Sequence, residues 1–232
     1  MSRHVLLTGF EPFGPHRVNP SELLVRSLEG RVVAGFVIAV RVFPVESRTL
    51  RDRLAAAFDE TTPEVAVGIG YAPGRAALAL ERVALNVADY ELPDAAGVQH
   101  RDQPIDENGP AARFATLPNR AILDAWAAVG IPGHLSNSAG TYLCNQWLYD
   151  ALALTEGRTP PIEAGFLHVP ALPAQASELG AERTPSMALE VMRKGVETAI
   201  EALALRERGA PEPAARRAVE KLWIPPPRTT RT

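Results

Sequence analysis

Short runs of aliphatic and β-branched residues alternate along this chain with longer stretches whose apolar residues recur at helical spacing, and this alternation most narrows what it can fold into. His4–Thr8, Val32–Val42, Glu64–Ile69, Leu78–Asn86, His134–Asn137 and Ala164–Val169 read as strands. Pro20–Leu28, Ser47–Phe58, Leu117–Val129, the segment through Cys144 to Leu154, and Pro185–Arg206 read as helices. Asn19 and Pro20 form an N-cap and first-turn pair for the first helix, and Gly130 closes the third. Strands and helices in this succession imply an α/β fold, a three-layer sandwich with a mostly parallel or mixed central sheet flanked by helices. In such sheets ligands collect beyond the carboxyl ends of strands. That directs attention to the loops Gly9–Asn19 and Gly70–Arg75 and to His168.

The bulk composition sets limits. The chain has 232 residues, 46% hydrophobic and 22% charged, with a net charge of −3, which suits a single soluble domain and argues against a nucleic-acid partner. No apolar run is long enough for a bilayer, and the stretch around Val5–Leu7 is too short for a signal peptide. Residues 1–208 read as one domain, with a long irregular loop over Pro93–Ala112. The tail Gly209–Thr232, with three consecutive prolines from Pro225, has little core-forming pattern and is expected to be loosely held.

Cys144 is the only cysteine, so it forms no internal disulfide, and a free thiol fits a reducing compartment such as the cytoplasm. Small polar residues and Gly140 lead into an apolar stretch at Leu143, as a turn feeding a helix does. A thiol in the first turn feels the positive end of the helix dipole, which favours the thiolate. A nucleophilic cysteine also needs a base. His168, at the end of an apolar strand, is a candidate for it or else a satisfied core histidine. Glu81, within a mostly apolar segment, is a candidate to orient the imidazole. It otherwise reads as an exposed carboxylate or one paired with Arg82.

Taken together, these segments resemble the pyroglutamyl peptidase type I family of cysteine peptidases. The resemblance rests on four ordered blocks: Gly9-Phe10-Glu11-Pro12-Phe13-Gly14 with Asn19-Pro20-Ser21; Glu81-Arg82-Val83-Ala84-Leu85-Asn86; Ser136 through Asn145; and Gly165-Phe166-Leu167-His168-Val169-Pro170 with Leu172, Pro173 and Gln175. It implies that Cys144 is the nucleophile, His168 the general base and Glu81 the orienting acid. Phe10, Phe13, Asn19, Val45, Tyr71, Leu92, Tyr142 and Leu143 would form the pocket for a pyroglutamyl residue. It also implies peptide substrates with an N-terminal pyroglutamate and a homo-oligomer, a tetramer by resemblance.

Two positions depart from the family's pattern. Tyr71 stands where glutamine is common, and Glu91 where arginine is common. They motivate a second reading, a weak relative that binds lactam ends without efficient cleavage. A redox sensor is a third reading, disfavoured because no resolving cysteine is present. No metal or cofactor is expected: the blocks hold no Cys/His pair at ligand spacing, and Gly68-Ile69-Gly70 is too slight for a dinucleotide loop.

Overall fold

Val5, Leu6 and Leu7 are all fully buried in succession, which makes β1 (Arg3–Phe10) a strand covered on both faces. The structure, a computed structural model, describes residues 3–180, 182 and 184–207. The tail Gly209–Thr232 lies outside the described residues. β1 is joined in one sheet by β2 (Val32–Val33), β3 (Phe36–Phe43), β4 (Val65–Tyr71), β5 (Leu78–Glu81), β8 (Gly133–Ser136) and β9 (Glu163–Val169). The order is β2-β3-β1-β4-β9-β5-β8. Strands β3, β1, β4 and β9 run parallel; β5 is antiparallel to β9 and β2 to β3. The sheet is therefore mixed. β6 (Val83–Leu85) and β7 (Ala112–Phe114) make a separate antiparallel ribbon.

Helices α1 (Pro20–Arg26), α3 (Asn119–Ala128) and α6 (Leu189–Glu207) bury Leu24, Trp126 and Met192 on one face of the sheet. On the other face, α2 (Ser47–Thr61) and α4 (Leu143–Thr155) bury Leu54 and Trp147. The three expected layers are present. A short α5 (Pro173–Leu179) follows β9. No helix of the described residues is long and apolar enough to cross a membrane.

Several expected boundaries move, each for a local reason. Val32–Val42 is not one strand, because Ala34 and Gly35 take positive φ values of 50° and 90° and fold it into a hairpin. Leu78–Asn86 breaks at Arg82: Glu81 pairs with β9, whereas Val83 pairs with Phe114. The last helix begins at Leu189, not Pro185, because Ser186 bridges to Ala171 and Met187 N–H donates to Ala171 O. α5 and β7 escaped the sequence pattern. Gln175 opens α5 by accepting the Leu172 N–H at 3.0 Å, and its amide donates to Val18 O at 3.0 Å. It thus ties the end of β9 to the loop after β1. The irregular stretch Pro93–Ala112 is anchored: Asp94 Oδ2 accepts from Ser47 N and Oγ at 2.8 and 2.7 Å.

Candidate active site

The chain winds from β1 through α1 to β3 on one side, then through α2 to β4 on the other. This reversal opens a crevice at the carboxyl ends of β1 and β4. A cavity of about 160 Å³ lies there. Phe10, Phe13, Asn19, Val45, Tyr71, Tyr142 and Leu143, all expected at the pocket, line it together with Cys144, His168 and Ala139. Leu92 is the exception. It is 61% exposed and lines an adjoining groove of about 290 Å³ with Asp89 and Glu91. Phe13 and Tyr142 belong to both spaces.

Glu81 and His168 are brought together by strand register. Glu81 pairs with Phe166 across antiparallel β5 and β9, so Glu81, Phe166 and His168 share one face of the sheet. On the diagonal, His168 Nδ1 reaches Glu81 Oε1 at 2.7 Å. Both side chains are buried, Glu81 completely. The Phe166 ring packs edge-on against His168 at 5.0 Å and against Trp147 at 5.5 Å, which holds the imidazole in place. The arginine paired with Glu81 is not Arg82, which donates to Asn137 Oδ1. It is Arg75, whose Nη1 lies 3.0 Å from Glu81 Oε1.

Cys144 occupies the second position of α4, after Tyr142 as N-cap and Leu143. Gly140, at φ 81°, makes the turn into the helix. Asn145, fully buried, fixes α4 against the strand beyond Glu81: its amide donates to Leu85 O and Val87 O at 2.8 and 3.1 Å and accepts from Leu85 N–H at 2.8 Å. Sγ thereby comes down over Gly70, where a β-carbon would lie 2.7 Å from it. Gly70 is the register partner of His168 in parallel β4 and β9. Thiol and imidazole therefore stand beside one another on the same face of the sheet.

Burial governs the resting protonation. It pushes the Cys144 thiol up to about 12, with the Glu81 carboxylate adding to the rise and Arg75 opposing it. Burial also pulls His168 below its ordinary value, against the hydrogen bond and charge of Glu81. The expectation of a thiolate favoured by the helix dipole is thus overridden at rest. Both shifts favour a neutral thiol beside a neutral imidazole.

The family model for pyroglutamyl peptidase matches residues 3–206. The chain belongs to the pyroglutamyl peptidase family. A pyrrolidone-carboxylate peptidase from Coprothermobacter proteolyticus is 42% identical over 204 residues, covering 88% of this chain and 98% of the relative. One from Pyrococcus furiosus is 38% identical, with 86% and 99% covered. Among solved structures, the pyrrolidone carboxyl peptidase from Thermococcus litoralis superposes with a TM-score of 0.85 at 36% identity, over 91% of this chain and 98% of that one.

Within this family frame, the two departures fall in different places. Tyr71 lines the cavity, 6% exposed, and its hydroxyl is buried without a hydrogen-bond partner among the described residues. Burial raises its pKa. Glu91 lies in the outer groove. Asn19 plays its capping role: Oδ1 accepts from Ser21 N and Oγ at 3.0 and 2.8 Å, and Nδ2 donates to Glu11 O at 3.0 Å. It shapes the cavity wall while holding loop and helix together. Sequence reasoning pointed to the Gly70–Arg75 loop but gave neither Gly70 nor Arg75 a role, and it did not name Ala139 as a cavity wall. For Arg75 a signal existed, an arginine in a turn directly after a strand, but its pairing with Glu81 depends on tertiary contact.

Proposed function

We propose that this chain is a cysteine exopeptidase that hydrolyses the amide bond after an N-terminal pyroglutamyl residue of peptides. The observation that carries the reading is the row formed by Glu81, His168 and Gly70, with the Cys144 sulfur resting on the last of these. Glu81 accepts a hydrogen bond from Nδ1–H and orients the ring, which leaves Nε2 basic. His168 takes the thiol proton as Sγ attacks the pyroglutamyl carbonyl, forming a tetrahedral oxyanion. Transfer in this concerted sense suits a thiol that burial keeps neutral at rest. No side chain caps the start of α4, so the N–H groups of Leu143 and Cys144 are available to the oxyanion. His168 then gives its proton to the departing amine, leaving a thioester. Water, deprotonated by His168, cleaves the thioester to free pyroglutamate and restores the thiol.

The cavity suits the acyl group. Pyroglutamate is a flat, neutral lactam, best held by apolar walls with few hydrogen-bond partners. Phe10, Phe13, Val45 and Leu143 supply such walls. A fluorogenic pyroglutamyl amide tests the reading: turnover that disappears in Cys144→Ser is expected.

The second reading, a binder without efficient cleavage, draws support from Tyr71 and Glu91. Saturable binding of a pyroglutamyl amide with no release of fluorophore by the unmodified chain would favour it. The proposal also places the protein in the cytoplasm as a homotetramer. Val83, Leu85 and Phe114 share the outer face of the β6–β7 ribbon, and Phe114 is 71% exposed, an apolar surface that assembly would cover. Light scattering on the purified protein gives the subunit number directly.

A further inference from the structure

Arg75 stands in the turn after β4 with its guanidinium on the carboxylate that serves His168. Its Nη1 lies 3.0 Å from Glu81 Oε1, the same oxygen that lies 2.7 Å from His168 Nδ1. Glu81 is fully buried, and its Oε2 has no hydrogen-bond partner among the described residues. A carboxylate at that depth stays ionised only if a cation compensates it. A neutral imidazole gives a hydrogen bond but no charge. Arg82, its chain neighbour, is engaged elsewhere with Asn137.

We propose that Arg75 is a positioning residue of the peptidase reaction: it keeps Glu81 ionised inside the protein, so that Glu81 holds the Nδ1 proton and Nε2 stays the basic nitrogen. This rests on the cysteine peptidase reading. The other titratable groups around the pair are Cys144 on α4, Tyr142 at its N-cap, and Tyr71 at the end of β4 with the His16 ring 5.3 Å from its own. Of these groups Arg75 alone is charged at every working pH. Its charge opposes protonation of the imidazole and favours ionisation of the thiol, the sense a base and a nucleophile both need.

Removing a fixed cation lets the Glu81–His168 pair take up its proton at higher pH, whichever partner carries it. In Arg75→Gln the acid limb of kcat/KM is expected to move up by about one pH unit. At the optimum, kcat should fall about tenfold or more with KM little changed. Arg75→Lys retains the charge without the planar fork, and its limb is expected to lie close to that of the unmodified enzyme. A purely structural arginine would lower activity without moving the limb. The imidazole of His168, followed by ¹⁵N NMR in the Cys144→Ser background, reads the same relation without turnover; there Arg75→Gln should raise the protonation midpoint by a similar amount. An unmoved midpoint would overturn the proposal, as would equal shifts in the Gln and Lys variants. Absence of turnover in the unmodified chain would instead sink the peptidase reading, since the NMR titration does not depend on it.

Discussion

Gly70 and Cys144 meet so closely that a β-carbon on the glycine would stand 2.7 Å from the thiol sulfur and 2.9 Å from the Phe166 ring. Neither neighbour yields easily. Phe166 is wedged between Trp147 and His168, and Cys144 is fixed in the first turn of α4. The approach of nucleophile to sheet therefore depends on a missing side chain.

Gly70→Ala follows from this contact. Overpacking of this kind costs about 1–3 kcal/mol. Displacing the sulfur by about 1 Å is enough for a loss on the order of 100-fold in rate. We expect kcat on a pyroglutamyl amide to collapse while the variant still unfolds cooperatively at a lowered Tm. Near-normal kcat would show that the sulfur is not confined by Gly70.

The resting protonation predicts the pH profile. The His168 imidazole, buried and held below its ordinary value of 6.5, remains a free base in acid that would protonate an exposed histidine. The acid limb of kcat/KM should lie below that value. Stability moves in the same direction: the unfolded chain binds a proton near pH 6.5 that the folded site resists, so Tm should fall as pH drops through this range. The thiol gives the opposite edge. Held up to about 12, it ionises in the unfolded chain first, so stability declines as pH rises above about 8.5. Cys144→Ser should flatten that alkaline decline. Iodoacetamide labelling that saturates near neutral pH would show instead a thiolate–imidazolium pair.

Glu81→Gln tests the orienting carboxylate with a sign opposite to that of Arg75. The amide keeps the shape but removes the charge that raises the imidazole pKa. It can also present its N–H₂ to Nδ1 and stabilise the wrong tautomer. The expected result is a fall in kcat of about 10²–10⁴ with KM nearly unchanged. The residual acid limb should shift downward. Stopped-assay kinetics across pH 4–8 would show it, and a kcat within a few fold of the original would remove Glu81 from the reaction.

Much of this site was legible in the chain because its parts are local. The turn–helix pattern of Ser136–Asn145 and the place of His168 at the end of an apolar strand made Cys144 and His168 candidates, and the four ordered blocks that resemble the family gave them their roles. Periodicity placed the helices other than α5 and most of the strands. It did not reveal the break at Arg82, because Leu78–Leu85 is uniformly apolar apart from Glu81 and Arg82, and nothing local says that the chain changes sheets there. That break ends β5 at Glu81. The pairing of Arg75 with Glu81, the upward shift of the thiol pKa and the outward place of Leu92 all depend on burial, a tertiary property.

Asn145 should prove structural as well as catalytic in its effects. It makes three hydrogen bonds to the Leu85–Val87 backbone from a fully buried position. Asn145→Ala leaves the Leu85 N–H and the Leu85 and Val87 carbonyls without their amide partner, at about 1–3 kcal/mol for each that stays unsatisfied. Chemical denaturation should report a loss of several kcal/mol, and kcat should fall because α4 is no longer pinned beside β6. A variant as stable as the original would show that water replaces the amide.

Tyr71→Phe separates the cost of an orphaned hydroxyl from its use. In the free protein the phenol oxygen is buried at the cavity without a partner among the described residues, so deleting it should leave Tm unchanged or slightly higher. A bound lactam brings a carbonyl and an N–H into the same cavity. If the hydroxyl meets one of them, its removal raises KM by about 3–10-fold, the worth of one neutral hydrogen bond, while kcat holds. We expect that split of higher KM and undiminished stability. Tyr71→Gln, which restores the residue common in the family, should recover part of the loss through its own amide. Identical KM values for the tyrosine and phenylalanine forms would mean that the ring serves only as a wall, and that the departure at this position changes shape and not recognition.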